Sequence, residues 1–325
     1  MSRARSAVLI ALSLLAVACG ELDPPSLVER TRVVAARVAP VDDPRIAAPS
    51  PGDPIAIEWL VVGPTRPEPI AAQLVACAPL PGTATPGCRP GTIVPIAPRA
   101  PAPAPFVTAL TVPSAEALAG ARELLVTGAI CVGGSTPALD PATGAASCEG
   151  GDDLRVELVA LSIPLALDPS MPANLHPTLA DEPWTLEGAS WDAPPDELPY
   201  DGCATGDALP GVPRVAAEPE RALAITLGWS EDDRETYVTL TGDPPAPVEL
   251  RETLQLSHYA SGGELGRALS AVDTSTEPGA PIEIDWSPPP IDEVPEDGLL
   301  VLFPLVVRDG RGGVARADRA LCVTR

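Results

Sequence analysis

The chain has 325 residues, a formal net charge of −23 and 43 prolines. An acidic surface repels polyanions, and phosphate binding needs a basic patch, so this composition excludes nucleic acid as a partner. There is no lysine, which excludes phosphate-loop NTPases and enzymes that form a Schiff base through a lysine. Because proline lacks a backbone donor and fixes φ, its frequency leaves little room for helix interiors. The composition therefore predicts an all-β fold.

The N-terminus has the pattern of an export signal. Arg3 and Arg5 precede an uncharged run over residues 6–17. About 12 residues suit the hydrophobic region of a signal peptide, whereas roughly 20 apolar residues are needed to span a bilayer as a helix. The sequence therefore predicts a signal peptide over residues 1–18 and an exported protein.

Small residues and a cysteine follow this run, in the order Leu15-Ala16-Val17-Ala18-Cys19. This segment resembles the lipobox of bacterial lipoproteins, and the resemblance implies a lipid on Cys19 that attaches the mature chain to a membrane. It implies the outer membrane in particular, since glycine rather than aspartate follows the cysteine. The alanines at 16 and 18 also suit the ordinary signal peptidase, which would release a secreted protein. Residues 19–30 are then a tether in the anchored form.

Residues 31–167 are predicted to form the first of two immunoglobulin-like β-sandwich domains. Short segments with period-two alternation of apolar side chains are separated by turn residues, as in strands with one buried face. The predicted core faces are Ile55, Ile57, Trp59 and Val61, and Leu154, Val156, Leu158 and Ala160. A single helical turn is expected over Ser114–Arg122, where a serine can cap the first amides of an alanine-rich run.

Residues 168–201 are predicted to be a proline-rich linker or an extended segment packed across a neighbouring face, because strand-like alternation is missing. Residues 202–325 then form the second sandwich. Its predicted core faces are Leu223, Ile225, Leu227 and Trp229; Leu254, Leu256 and His258; and Ile282, Ile284 and Trp286. Its last two strands, Leu299–Arg308 and Val314–Val323, flank a glycine-rich turn. Pro304 in the first of them predicts a bulge or an edge position.

One nine-residue segment recurs in the chain. Residues 51–59 (PGDPIAIEW) match residues 278–286 (PGAPIEIDW) at six of nine positions. Each copy predicts a turn that leads into a strand with a buried tryptophan. The match ends after the tryptophan, so two explanations stay open: a relation between the two domains, or convergence on a common way to enter a strand.

The cysteines agree with export. Besides Cys19, the chain contains Cys77, Cys88, Cys131, Cys148, Cys203 and Cys322. An even number in an oxidising compartment predicts three disulfides. Short loops favour Cys77 with Cys88 and Cys131 with Cys148, and Cys203 is then left for Cys322. A zinc site is disfavoured, because there is no Cys-x-x-Cys pair.

Known catalytic motifs are missing from the sequence, which has no Gly-x-Ser-x-Gly elbow, no His-Glu-x-x-His pair and no dinucleotide fingerprint. His258 shares the apolar face of its strand, which favours a buried structural role, and His176 has no partner that the sequence identifies. Acidic turns at 42–43, 152–153 and 231–233 lack the alternating ligand spacing of a calcium loop. The sequence therefore predicts no catalytic residue, no metal and no cofactor.

Two functions remain open. The favoured one is a non-catalytic cell-envelope lipoprotein that presents β-sandwich domains for binding, adhesion or assembly, with an envelope protein or a surface ligand as partner. In these general features the chain resembles uncharacterised bacterial lipoproteins with immunoglobulin-like domains. The alternative is a secreted or envelope hydrolase that uses paired carboxylates, which needs a cleft where carboxylates of perturbed pKa converge.

Overall fold

The computed structural model describes residues 25–82, 87–103, 105–139, 146–150, 155–168, 170–179, 183–204, 206, 208–218, 221–241 and 245–325. Within these ranges the chain forms β-strands connected by turns and by one-turn 3-10 helices such as Glu231–Asp233 and Ile291–Glu293. The predicted all-β fold is confirmed. No helix among the described residues is long and apolar enough to cross a membrane.

Eight of the ten strands described in the N-terminal half form two antiparallel sheets that enclose one core, and the eighth and ninth strands pair only with each other. Their bounds are β1 Arg32–Pro40, β2 Pro54–Val62, β3 Ile70–Cys77, β4 Val94–Pro95, β5 Arg99–Ala102, β6 Phe106–Thr111, β7 Glu123–Val132, β8 Thr136–Leu139, β9 Ala146–Glu149 and β10 Val156–Pro164. One sheet has the order β1-β2-β6 and the other β10-β7-β3-β4, with β5 also paired to β3. The predicted core face of β2, from Ile55 to Val61, is buried between them. We call this unit the N-terminal sandwich.

Ten of the twelve strands described in the C-terminal half form a second pair of sheets, the C-terminal sandwich, and the other two pair only with each other. Their bounds are β11 Trp184–Leu186, β12 Ala189–Ser190, β13 Arg214–Ala216, β14 Leu223–Leu227, β15 Thr236–Thr241, β16 Ala246–Arg251, β17 Leu254–His258, β18 Glu264–Leu265, β19 Leu269–Val272, β20 Ile282–Ser287, β21 Leu299–Arg308 and β22 Val314–Thr324. The sheet orders are β12-β11-β14-β20-β18 and β13-β22-β21-β17-β19. The three core faces predicted for this region are buried.

The two sandwiches share one strand order. The sheet β1-β2-β6 corresponds to β11-β14-β20, and the sheet β10-β7-β3-β5 corresponds to β22-β21-β17-β19. The recurring nine-residue segment does not follow this correspondence, since it leads into β2 in one sandwich and into β20, the counterpart of β6, in the other. Gly52 and Gly279 both take a positive φ there, 97° and 74°. The repeat therefore reflects a common strand entry and not an equivalent position.

The predicted core face of β10 is wrong for the residues that the structure describes, and Leu154, its first predicted member, lies outside them. Leu158 is 76% exposed, whereas Ile163 is 1% exposed and packs in the N-terminal core with Val159 and Leu161. Both faces of this strand carry aliphatic side chains, so alternation alone does not identify the buried one. Glu157 shares the inward face, but it lies at the sheet edge, where its carboxylate accepts a hydrogen bond from the Val33 amide of β1 at 3.0 Å.

Pro304 lies in a central strand, contrary to the expected edge or bulge. It is in register with Asp318 of β22, without interruption, while β17 pairs on the other side of β21. The Pro304 carbonyl accepts from the Tyr259 amide, just beyond the last residue of β17. Because N–H and C=O of one strand residue point the same way, the donor that proline lacks would face the end of β17. The ladder with β22 is therefore unaffected.

Residues 168–201 contribute to the C-terminal core, so the expectation of a segment without strands is wrong. They contain β11 and β12, and Trp184 and Trp191 are buried among the core residues. Trp191 contacts Phe303 edge to face, with ring centroids 5.2 Å apart. An earlier part of the segment does pack across a neighbouring face, because Leu175 forms a β-bridge with Ile46 of the N-terminal sandwich.

The six cysteines form the three disulfides that the spacing favoured. Cys77 bonds to Cys88, Cys131 to Cys148, and Cys203 to Cys322, with sequence separations of 11, 17 and 119 residues. The third bond ties the segment before β13 to the last strand of the chain. By closing the longest loop, it restricts the unfolded chain most.

The expected single helical turn is present after Ser114. The Ser114 hydroxyl accepts from the Ala117 amide at 3.2 Å, and the Leu118 amide donates to the Ser114 carbonyl at 2.9 Å. The chain then reverses at Ala119, which takes a φ of 50°. The turn closes one end of the N-terminal core, since Leu118 is fully buried.

Candidate functional site

The outer face of sheet β1-β2 packs against the outer face of β21-β22, and this contact is the junction of the two sandwiches. Its apolar centre contains Leu60 from one side and Val306 and Val314 from the other. Around it, the Arg308 and Arg316 guanidinium groups donate to the carbonyls of Val34 and Val61, at 2.8 and 3.2 Å. These bonds satisfy strand carbonyls and hold the two sandwiches in one orientation.

His176 makes a third tie across the junction. Its Nδ1 accepts from the Val314 amide at 3.0 Å, so Nε2 carries the proton and donates to the Val38 carbonyl at 2.9 Å. Burial, and then the charge of Arg37, lower the pKa of His176 from 6.5 to about 4. The imidazole is therefore neutral at neutral pH, with both nitrogens occupied by the fold.

Strands β15 and β16 form a two-stranded antiparallel ribbon that is hydrogen-bonded to neither of the large sheets. Every residue of β16 is exposed. Among the ribbon side chains that the structure describes, Val238, Val248 and Leu250 are large, apolar and exposed. Both outer edges present unpaired backbone groups, and such edges are usually protected because they pair readily with other strands. In the part of the chain that the structure describes, the ribbon therefore combines two unpaired strand edges with exposed apolar side chains.

A buried polar network anchors the base of this ribbon. The Arg311 guanidinium, on the β21–β22 turn, lies 2.7 Å from a Glu252 oxygen and 3.7 Å from a Glu235 oxygen. It also lies over the Tyr237 ring, 4.5 Å from the centroid. An isolated two-stranded hairpin is marginally stable in water, so these contacts fix a ribbon that its own ladder would hold poorly.

Burial, and then the charge of Asp309, raise the pKa of Glu252 from 4.5 to about 7. Burial also raises the pKa of Glu235. The Glu252 side chain is 1% exposed, and its second oxygen accepts from the Glu235 amide at 3.1 Å. This carboxyl therefore changes its charge near neutral pH while both of its oxygens are committed to the network.

Asp309 organises the turn that carries Arg311. One carboxylate oxygen accepts from the amides of Arg311 and Gly313, at 2.7 and 2.8 Å, and the other accepts from the Asn174 side chain at 2.8 Å. Asp309 thus joins the turn to residues 168–201. Arg311, which this turn carries, joins it to the ribbon base. Asn174 is the only asparagine in the chain, but the sequence carries no signal of its role.

The other sequence candidates are also occupied by structural contacts. His258 is buried, lies 2.9 Å from the Ser270 hydroxyl through Nε2, and has its pKa lowered to about 4, mainly by burial and then by the charge of Arg267. Asp43 pairs with Arg45, whose hydrogen bonds lower the pKa of Asp43 to about 2. Cys19, the residue for which the sequence predicts lipid attachment, and the acidic turn 152–153 lie outside the described residues.

The third acidic turn is the 3-10 helix Glu231–Asp233. Asp233 is buried, and its carboxylate accepts from both the amide and the hydroxyl of Thr178, at 2.6 and 2.9 Å. Across the described ranges, no group of histidine, cysteine, aspartate and glutamate side chains has an arrangement that could hold a metal ion. These hydrogen bonds therefore connect residues 168–201 to the 3-10 helix that precedes the ribbon.

Paired carboxylates in an open cleft were the expectation for the hydrolase alternative. A cavity of about 540 Å³ adjoins the junction, lined mainly by apolar residues of β1 and β10, and Glu123 is its one carboxylate among the described lining residues. Two pairs of carboxylates meet at an arginine among the described residues, Glu235 and Glu252 at Arg311 and Glu187 and Glu218 at Arg221. Glu252 in the first pair is buried and hydrogen-bonded, and neither pair lines this cavity.

No protein-family model matches the chain, and no curated protein matches it at a significant level.

Proposed function

We propose that this protein is a non-catalytic, lipid-anchored protein of the cell envelope that presents the β15–β16 ribbon to a protein partner. The signal pattern and lipobox-like segment support export and anchoring at Cys19. The three disulfides are consistent with an oxidising compartment. The ribbon itself is the observation that carries the binding function.

We further propose that both sandwiches are immunoglobulin-like. Counting β4 and β5 as one strand, each sandwich places its first, second and fifth main strands in one sheet and its third, sixth and seventh in the other. Immunoglobulin folds divide these six strands in this way, and the fourth strand here pairs with the third, as an added C′ strand does in variable-type domains. The ribbon then occupies the connection between the second and third strands, at one end of the sandwich, where such domains commonly carry binding loops.

The chemistry of the ribbon indicates the kind of partner. Val248 and Leu250 lie on one face of β16 and would be covered by apolar side chains of a partner strand, while the free backbone groups of that edge extend the ladder. Val238 lies on β15 and on the opposite face. Glu249 lies on the ribbon, and the whole chain carries a net charge of −23. The partner is therefore an extended segment with alternating apolar side chains and basic flanks, which opposite charge would attract.

Site-specific crosslinking tests this interface. A photo-reactive residue at Val248 should crosslink one envelope protein in cells that make the native chain, whereas the same residue at Leu158, an exposed apolar position on β10, should not. The purified partner should then bind the wild-type protein at least tenfold more tightly than a Val248→Thr, Leu250→Thr double variant, because threonine keeps strand propensity but removes apolar contact area. Equal binding by both would show that the ribbon is not the interface.

The anchor has a separate test. The intact mass of the protein extracted from native membranes should correspond to a chain that begins at Cys19 and carries acyl groups. Alkylation before reduction should add nothing, because the other six cysteines are paired. An unmodified mass would contradict the lipid anchor and place the protein in the secreted fraction, without bearing on the ribbon.

A further inference from the structure

A second cavity, of about 420 Å³, lies at the edge of the junction. It is formed by the outer face of β21 and β22, by the last residue of β2 and the residues that follow it, and by the extended segment near Tyr200. Its apolar wall consists of Val62, Pro67, Pro194, Pro195, Leu198 and Leu302. A concave site of this size with apolar walls and a few polar groups is typical of small-molecule binding.

Two of the polar groups that line the cavity, Arg316 and Tyr200, are donors with free capacity. Arg316 uses Nε for Asp318 and Nη1 for the Val61 carbonyl, and its Nη2 makes no hydrogen bond to any described residue. The half-buried hydroxyl of Tyr200 likewise has no hydrogen-bond partner in the described ranges. Burial is the main cause that raises the pKa of Tyr200, so this hydroxyl remains a donor. Two unused donors therefore face the same small space.

The cavity is less acidic than the chain as a whole. Arg316 and Arg319 line it together with Asp196 and Asp318, so the arginines and carboxylates of its lining are equal in number. The Arg66 guanidinium lies nearby, 5.7 Å from the centre of the Tyr200 ring. At physiological ionic strength, charges more than about 8 Å away are largely screened, so the net charge of −23 on the whole chain does not decide the local field.

We propose that this cavity binds a small organic carboxylate with an apolar body. The carboxylate accepts hydrogen bonds from Arg316 Nη2 and the Tyr200 hydroxyl, and the apolar body packs against the proline and leucine side chains. Arginine suits this role because its planar group presents several donors to a carboxylate. This site is separate from the ribbon, so it goes beyond the proposed partner binding and does not depend on it.

The probes are 4-phenylbutyrate and its neutral amide, which have nearly the same shape and differ in charge. Binding to the purified full chain is measured by saturation-transfer NMR titration. The carboxylate should bind at least tenfold more tightly than the amide. Tyr200→Phe should weaken carboxylate binding at least tenfold and amide binding clearly less, since a hydrogen bond to a charged acceptor is stronger than one to a neutral acceptor. Tyr237→Phe, on the ribbon, is the matched control and should behave as wild type.

The variants separate binding from folding. Tyr200→Phe removes only a hydroxyl without a described partner, and an unchanged Tm would show that the fold is intact. Arg66 is exposed and lies beside the Tyr200 ring. The Arg66→Gln variant should weaken carboxylate binding two- to threefold. Equal affinity for carboxylate and amide would overturn the anion site, as would an unchanged affinity in Tyr200→Phe. A failure to bind either probe would also overturn it.

Discussion

Replacing Glu252 by glutamine tests the buried network at the ribbon base. Glutamine keeps the size of the side chain and an oxygen that can accept from Arg311, but it does not ionise. In the wild-type protein, burial and the charge of Asp309 raise the pKa of Glu252 to about 7. The folded protein therefore retains a proton that the unfolded chain releases near pH 4.5.

The sign and size of the effect follow from this difference. Between pH 4.5 and 7 the unfolded state binds fewer protons, so the free energy of unfolding falls as the pH rises. Each pKa unit corresponds to about 1.4 kcal/mol, so the wild-type protein should lose roughly 3 kcal/mol across this range through Glu252 alone. The Glu252→Gln variant lacks this loss. The variant minus wild-type difference should therefore rise by roughly 3 kcal/mol between pH 4.5 and pH 8.

Urea unfolding at half-unit pH intervals, followed by tryptophan fluorescence, measures this difference. His176 and His258 destabilise the fold as the pH falls from 6.5 towards 4, because their pKa values are lowered, but both proteins contain them and their contribution cancels. Glu249→Gln, which makes the same chemical change on the exposed ribbon, is the control and should give a nearly constant difference. A constant difference for Glu252→Gln as well would refute the reasoning.

Further predictions concern the cross-links and the strand contacts. Replacing Cys203 and Cys322 by serine should lower the free energy of unfolding by about 2–5 kcal/mol, more than opening the 11-residue disulfide loop of the N-terminal sandwich; equal losses in urea unfolding would contradict loop length as the cause. Gly128→Ala should cost about 3 kcal/mol, because the added Cβ would lie 2.2 Å from the Gln73 carbonyl oxygen. Gly310→Ala, where the added Cβ meets open space, should cost about 1 kcal/mol, and similar Tm values for the two variants would argue against the close contact.

The β-strands with one apolar and one polar face were predictable from the sequence. Ile282, Ile284 and Trp286 alternate with charged or polar residues, and only one orientation of that strand buries them. The final hairpin was predictable for a similar reason, since two apolar runs flank a glycine-rich turn. The pairing of Cys203 with Cys322 was predictable because short loops favour bonds among the other four cysteines and leave these two.

The candidate site was much less predictable. Asp309, Asn174 and Arg311 are far apart in sequence or unremarkable in pattern, and their roles depend on the packing of residues 168–201 against both sandwiches. The alternation of side chains in β15 and β16 does not distinguish an exposed two-stranded ribbon from strands of a large sheet. Strand propensity does not show whether another strand pairs on either side. The unused donors of Arg316 and Tyr200 are likewise visible only once their neighbours are known.

Composition, alternation and cysteine spacing by themselves determined an all-β chain with three disulfides, because those properties depend on local conformation and on short loops. Tertiary structure decided which face of β10 is buried, since both faces carry aliphatic side chains and only the opposing sheet selects one. It also decided that Pro304 fits a central strand, because the neighbouring β17 ends where the missing donor would be needed. The junction depends on contacts between residues more than 100 positions apart, and no local pattern encodes them.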